Sequence, residues 1–351
     1  MKKILFVAHN LKKKGGVQRT ANVISKNKDF LGIHEIYDLN LGETSFLFKL
    51  KVLIKMLAKI KNYDATFHSN IKTALPCLIF YPFKETFVIF HGTEVWNSLI
   101  VKYIYKFPKV KTLSVSNFTQ DLVAKNSGYR GSKSLRFFHS FWIENREGLL
   151  GEELPYRNGL DKRNPGSILT VLRLDSVDKH KRLDELFQAI KDLQASIGDI
   201  SLTVVGEGSD RYRLMNLAKE MNIEKCVTFL GDIPDSHLEY LFTHSRVFCL
   251  PGSPVTSGRK PHGEGYGLVF MEAAAFGLPS VSGSGDGSVE AVLHGVTGFN
   301  WNGSRDLSGL IEELLTNNHL WEKMSSNCQR HVHEKNNLYN NLVILKKVLY
   351  E

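Results

Sequence analysis

The sequence predicts an α/β protein made of two doubly wound domains, and three observations support this fold class. The chain has 351 residues, which is enough for two domains of ordinary size. Short runs that are apolar throughout alternate with helical patterns, as in parallel sheets that helices cover on both faces. A polar segment without periodicity, residues 147–166, contains two prolines and four glycines and separates these runs into two groups. We therefore expect two Rossmann-like domains, residues 1–150 and 166–337, that face each other across a cleft.

Nine apolar runs are predicted to form the strands of two parallel sheets. Each run is too short for a helix and lies between segments with helical periodicity. The predicted strands are residues 4–8, 65–67, 87–90 and 112–115 in the first domain and residues 168–172, 202–205, 227–230, 247–250 and 280–282 in the second.

The composition is that of a globular protein outside the membrane interior. Hydrophobic residues make up 42% of the chain and charged residues 23%. No window of about 20 apolar residues predicts a transmembrane helix, and the apolar run at the N-terminus is too short for a signal peptide. The four cysteines show no metal-binding spacing, so we expect free thiols in the cytoplasm and no metal site.

Positive charge is concentrated in the first half of the chain. Residues 1–160 contain 25 Lys and Arg against 12 Asp and Glu, a net charge of +13. Residues 161–351 contain 20 against 24, a net charge of −4. A basic half suggests an anionic partner. The candidates are a nucleotide, a phospholipid surface and a nucleic acid, and charge alone does not choose between them. No basic–aromatic module for nucleic acid is present, so we expect no nucleic-acid partner.

Gly15 and Gly16 follow the first predicted strand and precede a helix predicted from about Val17. Glycines at a strand-to-helix turn let the backbone approach a diphosphate closely. The pattern is neither a dinucleotide fingerprint nor a P-loop, and a plain loop explains it equally well.

Residues 46–62 are predicted to form a basic amphipathic helix. Two interpretations stay open: the helix packs on the first sheet with its lysines solvated, or it also contacts an anionic membrane. The apolar face contains Leu53, Met56, Leu57 and Ile60, and the basic face contains Lys51, Lys55 and Lys59.

His91 directly follows the predicted strand at residues 87–90. It is therefore expected at the carboxyl end of a strand, where doubly wound folds bind their ligands. Its ring suits a hydrogen bond to a reacting sugar or an acceptor, and a purely structural role is the alternative.

Basic and glycine residues follow the strands of the second domain. Arg173 lies just after a strand, and Lys179 and Lys181 precede a helix. An arginine and a lysine that converge on a diphosphate can neutralise a leaving group without a metal, whereas a solvated basic turn is the alternative. Gly206 and Glu207 follow the next strand, where the backbone can approach a ligand.

Glu264 and Glu272 stand eight residues apart around a helix predicted at residues 268–275. Gly265 and Gly267 suit a tight loop before that helix. The free amides and the positive dipole end of a helix N-terminus favour a phosphate, and two carboxylates beside it can accept hydrogen bonds from sugar and ribose hydroxyls. The alternative is that Glu272 caps a surface helix or is solvated on it.

Taken in order, these motifs resemble the retaining glycosyltransferases of family 4, which have the GT-B fold. The resemblance covers nearly the whole chain and is strongest between residues 169 and 299. No single segment is specific, but the ordered set is. The matching segments are residues 15–17, 91–92, 114–116, 172–174, 181–184, 205–208, 229–231, 250–251, 264–272, 277–279 and 292–299.

The resemblance implies a role for each candidate residue. Arg173 and Lys181 bind the donor diphosphate, Glu264 contacts the sugar hydroxyls, Glu272 contacts the nucleotide ribose, and His91 lies near the transferred sugar. Together His91, Arg173, Lys181 and Glu264 are the implied catalytic residues. The further donor-binding residues that it implies are Gly15, Gly16, Gly206, Glu207, Gly231, Tyr266, Gly267 and Leu268.

The resemblance also implies the reaction. A sugar passes with retention from a nucleotide sugar to a glycan or a lipid-linked acceptor, without a metal or another cofactor. Residues 91–96 and the Glu264 loop look most like mannosyl-type members, which favours GDP-mannose, while UDP-sugars stay open. Expected roles are synthesis of lipopolysaccharide, O-antigen or capsule, in the cytoplasm or at the inner face of the membrane. A helix at about residues 338–351 is expected to return to the first domain.

Some segments depart from the family pattern. Lys179 and Lys181 compete for the position of one family lysine, and Arg182 replaces the glycine that commonly follows it. Lys181 is preferred, because it aligns better with the Leu-Asp pattern that follows. The acceptor-side segment at residues 138–144 is unusual, and the loop at residues 253–263 is long and polar. Two further functions therefore stay open: a GT-B enzyme with a soluble acceptor, and a catalytically silent GT-B binding subunit, against which the presence of both glutamates argues.

Overall fold

The computed structural model describes residues 2–12, 15–40, 45–92, 94–96, 98–128, 133–134, 163–254, 262–304, 306–335 and 338–351. These residues form two units, each with its own parallel sheet.

The first unit is built on six parallel strands that pair in the order β2-β1-β3-β4-β5-β6. The strands are β1 (Ile4–Ala8), β2 (Glu35–Asp38), β3 (Ala65–His68), β4 (Glu85–Phe90), β5 (Val110–Ser114) and β6 (Lys133–Ser134). The helices between them are α1 (Gly16–Lys26), α2 (Lys28–Leu31), α3 (Phe46–Ile60), α4 (Ile71–Phe80), α5 (Ser98–Ile104) and α6 (Asn117–Ser127).

The second unit has a sheet of the same kind, with the strand order β12-β11-β10-β7-β8-β9. The strands are β7 (Ser167–Val171), β8 (Ser201–Val205), β9 (Val227–Gly231), β10 (Val247–Leu250), β11 (Ser280–Gly283) and β12 (Gly298–Trp301). The helices are α7 (Leu183–Ser196), α8 (Arg211–Glu220), α9 (Asp235–His244), α10 (Leu268–Ala275), α11 (Ser288–Ala291), α12 (Leu307–Thr316) and α13 (Asn318–Lys335).

The winding of the second sheet reverses between β7 and β10, which are neighbours although far apart in the chain. Ligands of doubly wound sheets bind at such a switch point, beyond the carboxyl ends of the strands. A ligand site is therefore expected in the segments that follow β7 and β10.

All nine predicted strands are present within two residues of the predicted bounds, and the predicted fold class is confirmed. The sequence missed β2, β6 and β12, which lie at the edges of the two sheets. An edge strand is covered less completely than a central one, so its sequence need not be apolar throughout. For example, β2 is only half-buried along its length, and β12 contains an asparagine.

Helix α3 has the predicted buried face, but its remaining surface differs from the prediction. Met56 and Ile60 are buried as expected, but Lys59 does not belong to a solvated basic face. Its ammonium forms an ion pair with Glu35 and lies 5.7 Å from the centre of the Tyr37 ring. The exposed surface of the helix is instead largely apolar and contains Phe46, Leu47, Phe48, Leu50 and Ile54.

The last helix, α14 (Leu338–Tyr350), packs within the first unit. The Tyr350 hydroxyl donates a hydrogen bond to the Gly32 carbonyl at 2.6 Å, and the Lys346 ammonium lies 5.0 Å from the centre of the Phe30 ring. Two elements more than 300 residues apart in the chain are thus joined.

Two further predictions concern the whole chain. The four cysteines are free thiols, as expected from their spacing. Among the described residues, no helix combines the length and the apolar composition that crossing a bilayer requires.

Candidate functional site

Arg173 stands at the carboxyl end of β7, and two carboxylates hold it there. Its Nε and Nη2 atoms both lie 2.8 Å from Asp178 Oδ2, and Nε is 3.1 Å from Asp175 Oδ2. The side chain is 62% exposed, so an anion can reach the guanidinium. The Asp178 side chain is mostly buried, so the ion pair fixes the guanidinium while leaving its outer side accessible.

Lys181 is brought to Glu264, which follows β10 at the switch point. Its Nζ atom lies 3.5 Å from Glu264 Oε1, and both side chains are mostly buried. Lys179, the competing lysine, is exposed. Of the two lysines, therefore, Lys181 is the one that contacts Glu264.

Arg182 explains a departure from the family pattern. Its backbone is left-handed, with φ +53° and ψ +46°, just before α7 begins. Glycine adopts this conformation without a Cβ clash, which is why a glycine is common at this point. Here the arginine side chain lies 5.3 Å from the centre of the Trp301 ring and 3.6 Å from Glu185, contacts that offset part of the backbone strain.

The loop that carries Glu264 leads directly into α10. Gly267 is left-handed with φ +83°, and a Cβ atom there would lie 2.6 Å from the Phe270 ring. Helix α10 begins at the next residue, Leu268, at its predicted position. Its first amides are therefore oriented out of the helix end, as an anion site requires.

Glu272 is 3% exposed, within the body of α10. This contradicts the alternative that it is solvated on a surface helix. Tyr266 is equally buried. A carboxylate that is withdrawn from water costs free energy unless it serves a partner, so its burial favours a functional role.

Glycines bring the ends of β7, β8 and β9 close together. A Cβ atom on Gly206 would lie 1.9 Å from the Leu172 carbonyl oxygen, and one on Gly231 would lie 2.4 Å from Glu207 Oε1. The Gly206 amide donates to the Gly231 carbonyl at 2.9 Å. Glu207 itself pairs with Arg211 at 2.6 Å, so its carboxylate is already engaged.

A histidine pair that the sequence did not predict lies beside Glu264. The rings of His180 and His262 meet edge to face with centres 4.6 Å apart. Burial lowers the pKa of His180 to about 4, although the nearby Glu264 carboxylate opposes this shift. His180 is therefore neutral at pH 7. His180 lies between two lysines in the chain, and such a basic pattern predicts a solvated turn, not a buried histidine.

Glu264 is also held by a loop that the sequence analysis did not identify. Its amide donates to Asp286 Oδ2 at 2.9 Å, and its carbonyl accepts from the Gly287 amide at 3.0 Å. No local pattern predicts these contacts, since the partners lie 22 residues apart.

In the first unit, His91 directly follows β4, and Gly15 and Gly16 stand at the start of α1. Gly15 has φ +148° and directly precedes α1, which begins at Gly16. His91 Nε2 lies 2.8 Å from the Ser69 carbonyl, so this nitrogen carries the proton and Nδ1 is left as an acceptor. Burial lowers the pKa of His91, which favours the neutral ring, although the Glu94 carboxylate opposes this shift. A neutral ring accepts a hydrogen bond from a hydroxyl but cannot supply positive charge.

Two predicted features lie outside the described residues. These are the acceptor-side segment at residues 138–144 and the greater part of the loop at residues 253–263.

A family model supports a function for the second unit. Residues 161–331 match the model described as "Glycosyl transferases group 1". A GDP-mannose-dependent alpha-(1-6)-phosphatidylinositol monomannoside mannosyltransferase of Mycolicibacterium smegmatis is 33% identical over 128 residues, which is 36% of this chain and 33% of that protein. The match thus spans about a third of that relative. An uncharacterized glycosyltransferase of Haemophilus influenzae is 24% identical over 346 residues, 93% of this chain and 94% of that one.

Solved structures share the fold of the whole chain. Anabaena Alr3699/HepE, in complex with UDP and glucose, superposes with a TM-score of 0.77 at 17% identity and 100% coverage of both chains. WaaG, a glycosyltransferase involved in lipopolysaccharide biosynthesis, superposes with a TM-score of 0.69 at 14% identity, covering 98% of this chain and 99% of the other. At these identities the likeness concerns the fold.

Proposed function

Residues 161–331 belong to the group 1 glycosyl transferases in a chain with the GT-B fold, and from this premise we propose that the protein transfers a sugar from a nucleotide-sugar donor. One observation carries the proposal. At the switch point of the second sheet, Lys181 Nζ lies 3.5 Å from Glu264 Oε1, next to the N-terminus of α10. Positive charge for a diphosphate thus adjoins a carboxylate for sugar hydroxyls.

The proposed mechanism retains the configuration at the anomeric carbon. The bond from this carbon to the diphosphate oxygen breaks, and the acceptor oxygen bonds on the same face of the sugar. The acceptor proton passes to the leaving phosphate. Lys181 and Arg173 stabilise the charge that develops on the leaving group, which is the role of fixed cations in such reactions. Glu264 orients the sugar and Glu272 the ribose.

The proposed donor is GDP-mannose, with UDP-hexoses as the alternative. Supporting the first, one relative is named as a GDP-mannose-dependent mannosyltransferase. Supporting the second, a structural neighbour was solved with UDP and glucose. A thermal-shift and product-release screen over GDP-, UDP-, dTDP- and ADP-sugars distinguishes them, because a ligand at a hundred times its Kd stabilises the folded protein by about 2.7 kcal/mol.

Three outcomes of that screen are decisive. Binding and turnover with one donor support the enzyme. Binding of a nucleotide sugar without turnover on glycan, lipid-linked or soluble acceptors favours a silent binding subunit. The absence of any nucleotide binding by folded protein contradicts the proposal.

The proposed acceptor is lipid-linked, with the enzyme at the inner face of the cytoplasmic membrane during synthesis of a surface polysaccharide. The support is the surface of α3, where five exposed apolar side chains adjoin the exposed Lys51 and Lys55. An apolar surface with basic residues fits an anionic leaflet, since side chains enter the acyl boundary while lysines contact headgroups. This revises the expected contact, from a lysine face to an apolar face with basic edges.

Sedimentation with anionic vesicles tests this surface. We expect Leu47→Ser and Ile54→Ser to lower the bound fraction of protein even at low salt, because both remove apolar area. Tyr212→Ser is the matched control, since Tyr212 is 81% exposed in the second unit. High salt should weaken binding only in part. If wild-type protein ignores phosphatidylglycerol vesicles at low salt, a soluble acceptor becomes the better proposal.

A further inference from the structure

Asp286 lies in the loop between β11 and α11 and is a buried carboxylate, 1% exposed. Its two oxygens serve different segments. Oδ1 accepts hydrogen bonds from the Ser288 hydroxyl at 2.6 Å and from the Ser288 amide at 3.0 Å. Oδ2 accepts the Glu264 amide at 2.9 Å. The two bonds from Ser288 shape the loop that contains Asp286, whereas the bond from the Glu264 amide connects this loop to the one before α10.

A second contact holds Glu264, this time at its backbone carbonyl. The Gly287 amide donates to the Glu264 carbonyl at 3.0 Å, so both backbone groups of Glu264 are held by consecutive residues of one loop. The approach is close, because a Cβ atom on Gly287 would lie 2.0 Å from the Gly265 carbonyl oxygen. The main chain on either side of the Glu264 side chain is thereby constrained.

The chemistry of Asp286 suits this task. Three donors are aimed at its two oxygens, and none of the three groups needs a proton from it in return. Burial raises the pKa of Asp286 above its ordinary value, with a smaller contribution from the Glu264 carboxylate, although the hydrogen bonds from Ser288 and the Glu264 amide oppose this shift. A buried carboxylate with three donors is rigid, since any movement leaves a desolvated acceptor or amide unsatisfied.

We propose that Asp286 is a positioning residue, which holds the main chain of Glu264 so that the Glu264 carboxylate stays beside Lys181 and meets the sugar of the donor. The inference rests on the proposed function, in which Glu264 contacts that sugar. In this role Asp286 acts through Glu264 rather than on the substrate. The simpler alternative is that Asp286 only caps its own loop through Ser288.

The test compares Asp286→Asn with Ser288→Ala. The first puts an amide NH₂ against either the Glu264 amide or the Ser288 amide, while the second removes the shortest bond to Asp286 and leaves the Glu264 bond intact. We expect Asp286→Asn to lower kcat/KM for sugar transfer by about 10²-fold, because a displacement of about 1 Å has that effect on a reacting group. Binding of GDP or UDP without the sugar should change less than about threefold, and Ser288→Ala should leave transfer nearly unchanged.

A double-mutant cycle with Glu264→Gln separates positioning from general damage. If Asp286 acts through Glu264, Asp286→Asn has little further effect on transfer in the Glu264→Gln background. Effects that simply multiply overturn the proposal, as does a Ser288→Ala variant that is as impaired as Asp286→Asn.

Hydrogen exchange gives a readout that needs no activity. Asp286→Asn should speed amide exchange in the peptide at residues 262–268, while Ser288→Ala should not. Unchanged exchange in Asp286→Asn protein overturns the positioning role whatever the substrate is. If exchange responds but no nucleotide sugar binds wild-type protein, the proposed function fails and the contact between the two loops stands.

Discussion

At the scale of single residues, the two lysines of the basic turn differ in a testable way. Lys181 contacts Glu264, whereas Lys179 is exposed. We predict that Lys181→Ala lowers kcat by about 10²–10³-fold, because it removes a fixed cation from the leaving group. Lys179→Ala is the matched control and should stay within about twofold of wild type. Equal losses in both variants would show that the turn acts through its total charge.

Two buried histidines predict how stability depends on pH. Burial lowers the pKa of His68 to about 3 and that of His180 to about 4, below the value of about 6.5 expected in the unfolded chain. Between these lowered pKa values and about pH 6.5, the unfolded chain therefore binds more protons than the folded protein. The stability that the two neutral histidines contribute is fully present above about pH 6.5 and is lost as the pH falls.

The measurement is the change in Tm between about pH 7.5 and pH 5. We expect His68→Gln to reduce this change, while the control His319→Gln, at an exposed position, should not. A pH dependence that is the same in all three proteins would contradict the assignment.

At the scale of elements, two guanidiniums and an indole join the segments before β7 and β10 to α13. The Arg163 and Arg246 guanidiniums lie 4.9 and 5.1 Å from the centre of the Trp321 ring. Arg163 is 5% exposed and donates hydrogen bonds to the carbonyls of Phe242, Ser245 and Phe276 at 2.9, 2.6 and 2.5 Å. These carbonyls belong to the ends of α9 and α10, so one side chain satisfies two helix termini.

We predict that Arg163→Met destabilises the second unit by about 3–5 kcal/mol, because it leaves buried carbonyls without donors. The control is Arg330→Met on the exposed side of α13, which should stay within about 0.5 kcal/mol. Urea unfolding followed by tryptophan fluorescence measures both. A loss below about 1 kcal/mol would mean that water replaces the guanidinium.

At the scale of the whole molecule, the proposed diphosphate and carboxylate residues Arg173, Lys181, Glu264 and Glu272 all lie in the second unit. We predict that a fragment of residues 161–335 folds and gains about 2.7 kcal/mol from the right nucleotide at a hundred times its Kd. A fragment that starts at residue 165 lacks Arg163 and should be less stable. A folded 161–335 fragment that binds no nucleotide would move the donor site out of the second unit.

Much of this architecture could be predicted from the sequence. Nine of the strands follow from runs that are apolar throughout. Eight of them are central strands of a covered parallel sheet, which are buried on both faces, and the ninth is the edge strand β9. Helix α10 has its predicted bounds, since Gly267 and Gly277 end the helical conformation on either side. Such signals are local: each reports how much of its own side chain or backbone must be buried or bent.

The remaining features depend on which segments the fold brings together. The sequence by itself determined the two sheets, helix α10 with Glu272, and the basic turn that follows β7. Only the tertiary structure placed Lys181 beside Glu264, paired Lys59 with Glu35, and set Asp286 against Glu264. The reason is physical: periodicity records the burial of one residue, whereas a contact across 22 or more residues follows from strand order, and the loops at a switch point meet only after the sheet has assembled.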